Sequence, residues 1–312
     1  MASSTIASTK NTVRSISLPS RPHPTNLMVE DELTKLKSWE ASCSRASTPS
    51  SGSILSGLSG LEELYACLDE FLNTTSTRQV VSHNGHESSA IDEILDASVR
   101  VLDVCEAVRD IVGEVKEHAR ALTSAIRRRK WDVSVESHIV EYTGLRKKVR
   151  KDAKRLVATL KLLDNKLTAS SPPFMMLDQD PEFARAVRVL REVNSSTVAV
   201  FRSLVSFLWG PAMKPKQSGW RVISRLLVHK GTVGCEERQE EGVNELDCVD
   251  DSLKNLLLCK KGGEEVGKLT SQIVSKQFGN LEVCVGSIED GLECLFRRLI
   301  RSRASLLNII SQ

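Results

Sequence analysis

The segment Leu281–Ile310 reads LEVCVGSIEDGLECLFRRLIRSRASLLNII, and its spacing decides the fold class. Apolar residues recur at Leu281, Val285, Ile288, Leu292, Leu295 and Leu299, in alternating steps of four and three. Such steps gather them into one stripe along one side of a helix. The opposite side carries Glu289, Asp290, Glu293, Arg297, Arg298, Arg301 and Arg303. An apolar stripe of this length is unfavourable in water, so other helices of the chain, or a partner, have to cover it.

The same rhythm recurs upstream. A helix starting near Ser53 places Ile54, Leu58, Leu61, Tyr65, Leu68 and Leu72 on one seam. A polar loop is expected from Asn73 to Ser88. His83 and His86 stand there as HxxH, but in a stretch read as a loop rather than a ligand-bearing helix, so no metal site is expected. Ser89–Arg128 is a second long helix, with Ile94, Val101, Cys105, Val108, Val112, Val115, Leu122 and Ile126 on its stripe. Asp92, Glu93 and Asp96 lie in its first turns and Arg127, Arg128, Arg129 and Lys130 at its end, as the helix dipole favours. After a break at 131–134, a third helix with seam residues Leu145, Val149, Ala153, Leu156, Leu160, Leu163 and Leu167 follows. Asp180 and Pro181 are a good helix start, Phe183, Val187, Leu190, Thr197, Phe201, Leu204 and Leu208 form the seam of the helix that follows, and Gly210-Pro211 is a good stop. A short amphipathic piece is expected at Trp220–Val228 and another helix at Leu246–Cys259. Gly262-Gly263 is a break, and Gly279, Gly286 and Gly291 favour a bend in the last helix.

The expected architecture is all-α: a bundle of about five long antiparallel helices, with the C-terminal one, about 264–312, packed centrally. Residues 1–50 read as a disordered Ser/Thr-rich basic tail with a short helix near 27–40, and 51–312 as the helical bundle domain.

Composition narrows the function classes. Aromatic residues make up 4%, which argues against base-stacking or lectin-like surfaces. The net charge of +3 does not by itself indicate a nucleic-acid binder. No run approaches the roughly 18–20 apolar residues of a spanning helix. The best, Val198–Trp209, is far shorter and contains Arg202. The eight cysteines form no CxxC pair, and several sit on helical stripes. They read as small buried hydrophobes in a reducing compartment.

No catalytic constellation emerges: there is no glycine-rich phosphate loop, no GxSxG and no HExxH. Cysteines on apolar stripes have raised thiol pKa values, the wrong direction for a nucleophile. The expectation is therefore no catalytic residue, no cofactor and no metal.

Two candidate interaction sites remain. Arg14, Ser17 and Pro19 form RSxSxP, the pattern that 14-3-3 proteins bind when the central serine is phosphorylated. Phosphate there would add about two negative charges for an arginine cluster to grip; the plain alternative is a solvated tail. The densest basic stretch is Arg146, Lys147, Lys148, Arg150, Lys151, Lys154 and Arg155. It could contact an anionic membrane, nucleic acid or a nuclear importer. The plain alternative is a solvated helix face, or one paired with the acidic 235–251 segment. These residues fall between the seam positions, as a solvated face would.

Four stretches taken together, SISLPSRPHP (15–24), DEILDASVRVLDVCEAVR (92–109), SAIRRR (124–129) and LECLFRRLIRSRASLLNII (292–310), resemble a plant-specific family of helical proteins related to the BYPASS proteins. The resemblance also takes in VNELDCVDDSL at 243–253. In that family a glycine often stands where Ala97 stands here. The resemblance implies a regulator of root and shoot development, in a family where BYPASS proteins restrain a root-derived mobile signal. It implies no substrate, cofactor or catalytic residue. It also weighs against reading the basic N-terminus as a chloroplast transit peptide. The expectation is a cytoplasmic, non-enzymatic scaffold with protein partners. A peripheral membrane protein binding anionic lipid through 146–155 is the alternative.

Overall fold

The computed structural model describes residues 24–45, 48–85, 88–128, 133–169, 180–210, 244–259 and 264–312. Among these it is all-α, with eight helices and no strand. They are α1 (Pro24–Cys43), α2 (Ser51–Asn73), α3 (Thr75–Asn84), α4 (Ser89–Arg127), α5 (Val133–Ala169), α6 (Pro181–Trp209), α7 (Glu245–Cys259) and α8 (Glu264–Ile310). The bundle is thus larger than the five helices expected, although α2, α4, α5, α6 and α8 correspond to those five.

Helix ends follow the local chemistry. The Ser50 side chain accepts a hydrogen bond from the backbone N–H of Ser53 and starts α2. Asp180 accepts from the N–H of Glu182, with Pro181 in the first helical position of α6. Asn244 starts α7, its amide oxygen accepting from the N–H groups of Leu246 and Asp247. Gly210 ends α6 with φ 75°, a left-handed conformation that suits glycine.

α8 is one continuous helix of 47 residues, about 70 Å at about 1.5 Å per residue, and runs unbroken through Gly279, Gly286 and Gly291. It packs on α2, α3, α4 and α7, so it is shared by much of the bundle. Leu281, Val285, Ile288, Leu292, Leu295 and Leu299 are all buried. Each such leucine contributes roughly 2 kcal/mol by leaving water. Along α4 and α8, Arg109 pairs with Glu293, Lys116 with Glu289 and Arg120 with Glu282. The numbers rise on one helix as they fall on the other, so these two helices run antiparallel. The seams expected on α2, α4 and α6 are buried throughout, and on α5 only Leu156 is partly exposed.

Two expectations need correction. The helix near 27–40 is longer, Pro24–Cys43, and belongs to the bundle: Val29, Leu33 and Leu36 lie in the core, and α1 packs on α2 and α6. The polar loop expected at 73–88 contains α3. Its sequence is mostly polar, but Val81 and Thr77 are buried, and α3 packs on α6 and α8. Tertiary contacts here override a weak local signal. The expected piece at 220–228 lies outside the described residues.

Candidate functional site

The most unusual chemistry in the bundle lies where α5, the end of α6 and the start of α7 converge. Arg146 on α5 falls one helical turn after Tyr142 and just before Val149, on the inward side. Its side chain is 2% exposed. Its Nε lies 3.1 Å from both carboxylate oxygens of Asp250, and its Nη1 donates to the carbonyl of Leu208 at 2.9 Å. One turn on, Arg150 donates from Nη2 to Asp250 at 2.6 Å and from Nε to the carbonyl of Trp209 at 3.3 Å. These cations thus satisfy terminal carbonyls of α6, at the end where a helix dipole favours positive charge. Asn244 closes the same junction by donating to the carbonyl of Phe207 at 2.8 Å.

The neighbours set this charged cluster in an apolar wall. The Tyr142 ring packs edge-on against Phe278 of α8, with centroids 5.2 Å apart. Burial, and next the charge of Asp250, push the Tyr142 hydroxyl upward in pKa. Asp247 lies against Gly210, where a Cβ would collide with its carboxylate. Burial raises the Asp247 carboxyl to about 6, with Asp250 adding to the rise and Arg146 opposing it. The Tyr142 hydroxyl and Arg146 Nη2 are buried without hydrogen-bond partners among the described residues.

This arrangement revises the reading of the basic stretch. Arg146 faces the core and, with the part-exposed Arg150, pairs with Asp250 of the acidic 235–251 segment, so these two are not simply a solvated face. Lys148 pairs with Glu114 on α4, and Arg155 with Asp152 one turn back. Lys147, Lys151 and Lys154 are exposed. Tyr142, Asn244, Asp247 and Asp250 carry no local sequence pattern that marks them as site residues. The available signal was positional: Arg146 stands four residues after Tyr142 and seven before Ala153, which places it on the seam. Arg14, Ser17 and Pro19 lie outside the described residues.

Other titratable groups are also bound up in packing. Cys105 is buried, its thiol directed at the carbonyl of Leu292, and burial pushes it up to about 12. Tyr65 shares a hydrogen bond with Thr197 in the core. An open groove of about 670 Å³ between α4 and α8 is lined by the Arg109–Glu293 and Lys116–Glu289 pairs, with Arg109 also stacked 4.8 Å over Phe296. Among the described residues, no group of three histidine, cysteine or carboxylate side chains could hold a metal. None of the described helices is long and apolar enough to cross a membrane.

The arrangement can anchor helices to one another, and its chemistry is that of a buried, charge-assisted junction. No curated protein and no solved structure matches the chain. A family model described as Protein BPS1 matches residues 57–309, from the second turn of α2 to the end of α8. The chain therefore belongs to the Protein BPS1 family, the BYPASS-related family that its sequence resembles.

Proposed function

We propose that the chain is a non-enzymatic regulatory or scaffold protein in plant root and shoot development that works through the outer surfaces of its helices. Family membership over 57–309 is the observation that carries this reading. The packing agrees with it. The strongly shifted groups, Tyr65, Cys105, Tyr142 and Asp247, sit where helices pack, and burial is the first cause of each shift. A frame built in this way keeps its exposed faces in fixed relation, which suits a platform for docking.

The tail motif Arg14, Ser17 and Pro19 supplies a switch in this proposal, with a 14-3-3 protein as reader of phosphorylated Ser17. Affinity capture of the tagged full chain from root tissue, with mass spectrometry, tests both parts. The expected result is stoichiometric protein partners, with a 14-3-3 protein lost on Ser17→Ala. Recovery of the same set from wild type and Ser17→Ala would contradict the switch. Capture of no reproducible protein would contradict the scaffold reading.

A further inference from the structure

Two arginines of α5, Arg146 and Arg150, turn towards Asp250 and the α6 carbonyls. The outer face carries mainly lysines, with Arg155 exposed at its flank and paired with Asp152. Val140, Lys147, Lys151, Lys154, Lys161 and Leu162 recur at helical spacing and fall within an arc of about 100°, at about 100° per residue. All six are exposed, and the apolar pair that brackets the row is unusually so: Val140 is 70% and Leu162 66% exposed. The row is about 33 Å long at about 1.5 Å per residue.

No carboxylate falls inside that arc between Val140 and Leu162. The acidic residues of this stretch lie to the flanks and are occupied: Glu141 with His138, Asp152 with Arg155, and Asp164 with Arg202. None of Lys147, Lys151, Lys154 and Lys161 makes an ion pair with a described residue, whereas Lys148, just off the row, is held by Glu114.

We propose that this outer face of α5 docks the protein on an anionic lipid bilayer, with the four lysines over the headgroups and Val140 and Leu162 entering the interface. Three features favour a bilayer over other polyanions. Lysines are compact point charges on flexible stems, suited to a diffuse anionic plane, whereas arginine forks suit fixed phosphates or carboxylates. The stems can lie along an apolar surface while their charges stay at headgroup level. Exposed apolar side chains in line with the lysines add burial that a nucleic-acid backbone does not offer, and no aromatic residue stands in the row to stack a base. The inference stands on the α5 face alone, independent of the protein partners proposed above.

The test is sedimentation of the purified full chain with vesicles. One set contains phosphatidylcholine alone, the other about 30% phosphatidylserine, a density at which each surface lysine adds appreciably to attraction. The chain should bind the anionic vesicles, bind the neutral ones at least about tenfold more weakly, and be released by salt. Lys147→Glu, Lys151→Glu and Lys154→Glu together should cut binding by more than about tenfold. All three are exposed, so melting should be unchanged. Leu162→Ser, which leaves the charge alone, should also weaken binding. Equal binding to both vesicle types, or undiminished binding by the triple variant, would overturn the proposal. So would tighter binding to nucleic acid than to vesicles with the same lysine dependence.

Discussion

Arg146 and Asp250 meet inside the bundle, the arginine Nε 3.1 Å from each carboxylate oxygen, although they stand 104 residues apart in the chain. Because Arg146 also holds the carbonyl of Leu208, one guanidinium fixes α5, the end of α6 and α7 to one another. Burying an ion pair gains little over apolar packing, but breaking one strands a charge. Asp250→Leu, which leaves the buried Arg146 without its carboxylate, should therefore destabilise the protein by about 3–5 kcal/mol in chemical denaturation. Adding Arg146→Met should restore much of that loss. A double variant as unstable as Asp250→Leu would show that Arg146 is not the charge left stranded.

Asp247 makes the junction sensitive to pH. Its carboxyl titrates at about 6 in the fold, against an ordinary 3.8. The folded state therefore holds the proton more tightly than the unfolded chain. The stabilisation is complete below the unfolded value and is lost as pH rises through 6. At pH above 7 the ionised, half-buried carboxylate is a net cost, on the order of 1 kcal/mol once solvent screening is discounted. Asp247→Asn should remove it. The variant should melt higher than wild type at pH above 7, and the difference should shrink steadily towards pH 4. A gain independent of pH would locate the effect elsewhere.

Trp39 and Gly57 lock α1 onto α2. The indole N–H donates to the carbonyl of Ser53 at 3.0 Å, and a Cβ on Gly57 would stand 2.5 Å from the indole ring. Gly57→Ala should push the ring aside and break that hydrogen bond. The expected cost is about 1–3 kcal/mol, with a change in tryptophan fluorescence in the folded state. An alanine variant with wild-type emission and melting would mean that the ring has room to spare.

Much of the fold was legible in the sequence, because long four-three seams repeat many times before the chain breaks. Residues such as Val112, Phe201 and Leu292 could be placed in the core from spacing alone, and all three are buried. α3 was not legible: ten mostly polar residues become a helix because Val81 finds a place on the core. The junction was legible only in outline. The basic stretch and the acidic 235–251 segment were visible as complementary charges, but the partnership of Arg146 with Asp250 depends on how α6 delivers its carbonyls between them. That is a tertiary arrangement with no local pattern. The inward turn of Arg146 and Arg150, against the exposed lysine row of α5, became visible only once burial was known.

α8 is the shared core element on which the outer surfaces depend. The direct measurement compares thermal unfolding of Leu292→Asp and Val283→Asp, two substitutions on the same helix. Leu292 is fully buried, whereas Val283 is 70% exposed. An unpaired carboxylate at 292 should cost several kcal/mol, comparable with the stability of a whole domain, so Leu292→Asp should lose its cooperative transition. Val283→Asp should melt within a few degrees of wild type. Cooperative melting of Leu292→Asp at the wild-type temperature would contradict the account, since it would mean that the α8 stripe is not covered by the bundle.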